Sequence, residues 1–182
     1  TALGAVKDVT KVTTDKNLLP LSGSHVLSGA GAADYSITST YSGGKLAVAA
    51  KTTGGDKSAT VNVPAGAWDN DQFLMTVRAL PLAEGYATSV TNVVSASASS
   101  IKSDIKVVAK EQLTVPAGAY TVFKVELAYG QTKHHAWYNV NKPHEMVKYE
   151  NPDVQRVFLL TKVGTPANGP VSGVAAVAKA RS

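Results

Sequence analysis

The sequence predicts a mainly β fold: a curved antiparallel sheet or partial β-barrel with one short helix at about residues 69–80. Three observations carry this. Residues 105–163 break into short β-rich runs bounded by Gly, Pro or Asn. Residues 35–63 alternate apolar and polar side chains with a period of two. A single segment, 68–80, switches to helical spacing.

Taken in order, residues 1–33 are rich in Gly, Ser, Thr and Ala, with strands expected around 6–13 and 18–28. Tyr35, Ile37, Ser39 and Tyr41 then alternate with Ser36, Thr38 and Thr40. Gly43-Gly44 supplies the positive φ of a tight hairpin, and Leu46, Val48 and Ala50 continue beyond it. Gly54-Gly55-Asp56 makes the next turn, before Ala59, Val61 and Val63. Such alternation means one wet face and one buried face.

The helix has its own signals. Asp69 is a suitable N-cap, because its carboxylate can accept from first-turn N–H groups. Gln72 stands where a capping box places its partner, and Trp68 and Phe73 stand where a hydrophobic staple does. Asp71 suits the positive first turn and Arg78 the negative last turn. Pro81 ends the helix by disfavouring the α conformation at Leu80. Asp69-Asn70-Asp71 superficially suggests calcium, but no third ligand, Gly or distal Glu follows at loop spacing, so a cap is the better reading.

Two near-copies, Asn62-Val63-Pro64-Ala65-Gly66-Ala67-Trp68 and Thr114-Val115-Pro116-Ala117-Gly118-Ala119-Tyr120, read as type I turns with Pro second and Gly fourth. Residues 95–104 read as a small polar loop. After it, strands are expected at 105–115, 120–129, 132–140, 145–150 and 154–163. Residues 1–163 form one β domain in this reading, and 164–182 a C-terminal tail.

Composition narrows the function classes. Hydrophobic content of 44% over 182 residues is enough for a core. No apolar run approaches the roughly 20 residues of a membrane helix. Cysteine is absent, so there is neither a disulfide framework nor thiol chemistry. Only 17% of residues are charged and small polar residues abound, which points to an extracytoplasmic setting: periplasm, cell surface or secreted. The chain opens Thr1-Ala2-Leu3, with no initiator Met or signal peptide, so a processed or truncated product is expected. The net charge of +5 is spread over scattered lysines with only Arg78, Arg156 and Arg181 beside them. Nucleic-acid binders cluster such charge, so no nucleic-acid partner is expected and the lysines serve to wet strand faces and edges.

A run of segments carries a family resemblance: Arg78-Ala79-Leu80-Pro81-Leu82-Ala83-Glu84-Gly85-Tyr86, Val115-Pro116-Ala117-Gly118-Ala119-Tyr120, Phe123-Lys124-Val125-Glu126-Leu127, Ala136-Trp137-Tyr138, Pro143 and Met146-Val147-Lys148-Tyr149-Glu150. In this order they resemble, over about residues 69–150, an uncharacterised family of bacterial exported β-proteins known as a domain of unknown function. The resemblance implies a largely antiparallel sheet or partial barrel outside the cytoplasm. It transfers no catalytic residue.

Catalytic patterns are weak. There is no Gly-x-Ser-x-Gly elbow, and Ser42-Gly43-Gly44-Lys45 lies in a hairpin, not on the helical turn that a Ser-x-x-Lys site needs. His134 and His135 are adjacent on a strand, so they face opposite sides and cannot easily share a metal. The one metal set on offer is His135, His144 and Glu150, weighed against the reading that one imidazole packs or hydrogen-bonds while the other is wet. Trp137, His135 and Tyr149 are the candidate lining of a site for a small apolar ligand. Most aromatics of these strands are expected to be core. No cofactor is implied.

The function expected is thus a non-catalytic β-module for binding or scaffolding. The alternative is a subunit of a homo-oligomeric surface assembly or filament, self-associating through its N- and C-terminal segments, Ala2–Val12 and Val171–Val177. A His-dependent metalloenzyme is the third reading.

Overall fold

A computed structural model of the chain describes residues 6–29, 34–164 and the backbone of 175–177. The expected mainly β architecture is present, as two open sheets not closed into a barrel. The first is an antiparallel meander, β1 (Val6–Thr14), β2 (Pro20–Gly29), β3 (Tyr35–Ser42), β4 (Lys45–Thr52) and β5 (Gly55–Asn62), in that spatial order. The second contains β6 (Trp68–Asp69), β7 (Ala87–Val94), β8 (Ser99–Val115), β9 (Gly118–Tyr129), β10 (Thr132–Asn139), β11 (Met146–Asn151), β12 (Arg156–Leu159) and β13 (Ala175–Val177). Its spatial order is β13-β12-β11-β10-β9-β8-β7-β6. The short β6 pairs with β7 in parallel; the other described ladders are antiparallel.

Two compact units emerge: residues 1–73 with 90–102, and 74–89 with 103–182. The first has a core of Ile37, Leu46, Val48, Ala67 and Val93, with Tyr35, Tyr41 and Val61 packed on it. Leu46 and Val48 alternate with exposed Ala47 and Ala49, as period two requires. The hairpin at Gly43-Gly44 has φ of 57° and 70°, both left-handed, which glycine adopts without steric cost. The second unit gathers Val115, Val122, Trp137, Val147 and Leu160 in one cluster.

The helix is shorter than its sequence suggests. A 3-10 turn at Asn70–Gln72 leads into α1 (Phe73–Val77). Ala79 and Leu80 then donate to Thr76 and Val77, three residues back, so the last turn tightens and stops. Asp69 is the cap, accepting from the Asp71 N–H at 2.8 Å, and the Trp68 and Phe73 rings meet 6.2 Å apart. Gln72 does not complete a capping box; its amide donates to Leu18 O at 2.8 Å. Arg78 lies beyond α1.

Other expectations also shift. Residues 99–104, expected as loop, open β8, and only Ser95–Ser97 form a 3-10 turn. At Pro116-Ala117 the β8–β9 hairpin reverses as expected, with Val115 opposite Gly118. In the first copy Ala67 N–H donates to Pro64 O, so Pro64 is first in the turn and Gly66, at φ 74°, is third. Of the terminal segments, residues 1–5, 165–174 and 178–182 lie outside the described residues.

Candidate functional site

The expected site residues lie on β10, β11 and the turn between them. Strand alternation sends His135 and Trp137 to one face and His134, Ala136 and Tyr138 to the other. The His135 and Trp137 rings stand 6.0 Å apart. Glu150 is the direct cross-strand neighbour of His135, and Lys148 of Trp137. On the other flank Glu126 faces His135 and Lys124 faces Trp137. The row is dense in charge. Lys148 Nζ sits 4.3 Å and Lys124 Nζ 5.2 Å from the indole centroid, within cation–π range. Lys148 also reaches Glu150 at 2.6 Å, and Lys133 reaches Glu126 at 3.1 Å.

Two bulges aim this row. Val108 is an extra residue on β8, between Val107 opposite Val125 and Ala109 opposite Lys124. It turns the odd-numbered residues that follow onto the Trp137 face. Glu111 therefore comes within 2.6 Å of the indole N–H and accepts its hydrogen bond. On β11, Val147 is extra between Met146 opposite Tyr138 and Lys148 opposite Trp137, and it joins the Trp137 cluster. The indole is 3% exposed. Trp137 is thus the floor of a charged patch and not a wall of an open pocket. His135 is partly buried; burial, followed by Lys124, holds its imidazole below the ordinary value of 6.5.

Tyr149 does not join this group. It lies opposite Ala136, on the far face, where its ring stacks with Phe158 at 5.8 Å. There His134 bridges two partners: Nδ1 to Tyr149 Oη at 2.6 Å and Nε2 to Asp153 Oδ2 at 2.9 Å. A carboxylate only accepts, so Nε2 carries the proton and the phenol donates to Nδ1. The order Asp-His-Tyr has the connectivity of a nucleophile relay. Yet burial, and then Asp153, push the phenol up to about 12, the opposite of activation. The arrangement acts as a staple between β10, β11 and the turn after β11.

His144 is also elsewhere. It occupies a left-handed position, φ 55°, after the cis Lys142–Pro143 bond. Its Nδ1 bonds Asn139 O at 2.7 Å and its ring lies 6.4 Å from Phe123. The proposed metal set is therefore split: His135 and Glu150 are neighbours on a sheet face, while His144 is tied into the turn. Among the described residues no group of three His, Cys, Asp or Glu is placed to hold a metal.

The first unit holds a polar cluster that sequence reading missed. Buried Asp69 accepts from Tyr41 Oη at 2.5 Å and Ser95 Oγ at 3.2 Å, beyond its cap bond. Nearby, His25 Nε2 lies 2.8 Å from Asp8 and 3.1 Å from Tyr35 Oη, with Nδ1 3.6 Å from Asp71. Burial, then Asp69, raises the Asp71 carboxyl above its usual range. The two aspartates meet different ring nitrogens of His25, which suits a clasp better than a shared ion.

The fold class is mainly β, built of two antiparallel-rich sheets with one short helix. The family model described as "Protein of unknown function (DUF3108)" matches residues 3–161, and the chain belongs to that family. No curated protein and no solved structure matches it.

Proposed function

We propose that this chain is a non-catalytic, extracytoplasmic β-module that binds or scaffolds by accepting an extended segment at the edge of β5. The observation that carries the reading is β5 itself. Among the described residues its eight residues pair with β4 on one side only, and all but Val61 are exposed. It contains no Pro, and one Lys and one Asp. Val63 N–H donates to Gly44 O, which fixes the phase of the ladder. By antiparallel alternation, Gly55, Lys57, Ala59 and Val61 bond to β4, whereas Asp56, Ser58, Thr60 and Asn62 aim outward. Those free groups are the template for strand addition. The small-polar composition, with only 17% charged residues, supports the extracytoplasmic setting.

Ser58→Pro with Thr60→Pro removes two outward donors and no donor to β4. Octapeptides selected on the wild-type chain from a random display library should bind this variant at least about ten-fold more weakly, as two lost hydrogen bonds of about 1 kcal/mol each imply. Peptides that bind both equally, or failure to select any, defeat the reading.

A second reading, assembly of copies by strand or tail exchange, draws on one further observation. β1 and β13, the first and last of the described strands, are both end strands of their sheets as described. Either can be exchanged without opening a sheet interior. Light scattering on full-length and end-trimmed chains tests it; a monomer in every case rejects it.

A further inference from the structure

We infer that a depression between the end of α1 and the turn before β11 captures the C-terminal end of a polypeptide whose last residue is apolar. The depression, about 390 Å³, is lined by Met75, Arg78, Ala79, Leu80, Lys142 and Pro143. Its floor is apolar, and Met75 there is 47% exposed, leaving a flexible apolar side chain accessible to an occupant. Both charged lining residues are cations. Among the described residues neither Arg78 nor Lys142 makes an ion pair.

Arg78 is oriented by its own backbone neighbours. Its Nε–H donates to Pro143 O at 3.3 Å and His144 O at 3.1 Å. The guanidinium is thereby pinned by one edge, while its two terminal amino groups make no hydrogen bond among the described residues. That end-on pair is a planar two-donor fork, matched to a carboxylate. Lys142 adds a second charge as a mobile point donor. Met75, with its flexible thioether stem, can fit aliphatic side chains of differing shape.

The depression is open rather than enclosed, and this selects the occupant. A terminal residue can place its carboxylate on the fork and its side chain on the floor, while the preceding backbone leaves into solvent. A free fatty acid would keep half its chain in water. The site is independent of β5, and Ser58→Pro with Thr60→Pro leaves it unchanged.

Methyl-labelled methionine gives the readout, because the chain has two methionines: Met75 in the depression and Met146 outside it. The probes are an N-acetylated tetrapeptide ending in two leucines with a free carboxylate, its C-terminal amide, and octanoate. The free-acid peptide should shift the Met75 methyl saturably and leave Met146 in place. The amide, and the acid against Arg78→Lys, should each bind about ten-fold more weakly, the loss of one charge-assisted pair. Lys142→Glu, an exposed change that spares the carbonyl contacts of Arg78, should weaken the acid at least as much. Equal binding of acid and amide, an unmoved Met75 methyl, or Lys142→Glu without effect overturns the inference. Octanoate binding as tightly as the peptide overturns the peptide end as occupant.

Discussion

Gly23→Ala probes the closest packing in the first unit. Gly23 lies on β2 directly opposite Ser39 on β3. A Cβ built at Gly23 would stand 2.5 Å from Ser39 Oγ and 3.5 Å from Asp69 Oδ2. The second distance is ordinary contact; the first is a clash. Ser39 is 4% exposed, so its hydroxyl has little room to swing away. Overpacking of this kind costs about 1–3 kcal/mol. Ala in place of Gly gives back about 0.4–1 kcal/mol by restricting the unfolded chain. The net loss is about 1–2 kcal/mol, which raises exchange of the β2 and β3 amides by a factor of roughly 5–30 in native-state hydrogen exchange. Ser39→Ala removes the clashing atom. The double variant should therefore recover most of the loss, with a coupling of about 1–2 kcal/mol. Unchanged exchange in Gly23→Ala, or no recovery in the double variant, refutes the close-packing argument.

Alkaline stability is set by phenols. Burial raises Tyr41, Tyr129 and Tyr138 above 10 and, with Asp153, takes Tyr149 to about 12. A raised folded value favours the native state below pH 10, and that advantage is lost progressively as pH rises above 10, through about 12 for Tyr149 and further up for the other three; absorbance at the phenolate band should show a late class of tyrosines that ionises together with unfolding. For His135 the shift is downward, so its protonated form is disfavoured in the fold and the associated stability, present above 6.5, fades as pH falls. Lys124→Ala should raise the His135 value in an imidazole NMR titration; an unmoved value removes Lys124 as a cause. In a Trp68→Phe background, Lys148→Ala should red-shift Trp137 emission and increase its quenching by iodide, since the lysine stem covers the ring 4.3 Å below its ammonium. Unaltered emission would show that the cover lies elsewhere.

The strands were legible where alternation was clean. Leu46, Val48 and Ala50 predict β4, and the Gly43-Gly44 pair predicts the hairpin before it. β7 has no clean alternation: Thr88, Val90 and Asn92 share one face and mix polar with apolar, while the adjacent Val93 is buried on the other. The start of β8 escaped notice, since its serines signal loop by composition. The helix was overextended because Phe73, Val77 and Leu80 repeat helically, yet backbone turns from Thr76 and Val77 close the element early. The pairing of His135 with Trp137 follows from period two. The separation of Tyr149 and the arrival of Glu111 do not, because both depend on cross-strand register. The adjacent apolar residues Val107-Val108 and Met146-Val147 were the available sign that alternation breaks there.

Between the extra residue at Val108 and the reversal at Pro116-Ala117, the length of β8 decides which side chain overhangs the indole. One added residue in that span would present Lys110 or Gln112 where a carboxylate now accepts, exchanging an anion for a cation or an amide beneath two ammonium groups. The patch above Trp137 is therefore tunable by chain length as well as by substitution, and small insertions ahead of that hairpin are a direct route to altering its charge while the sheet stays intact.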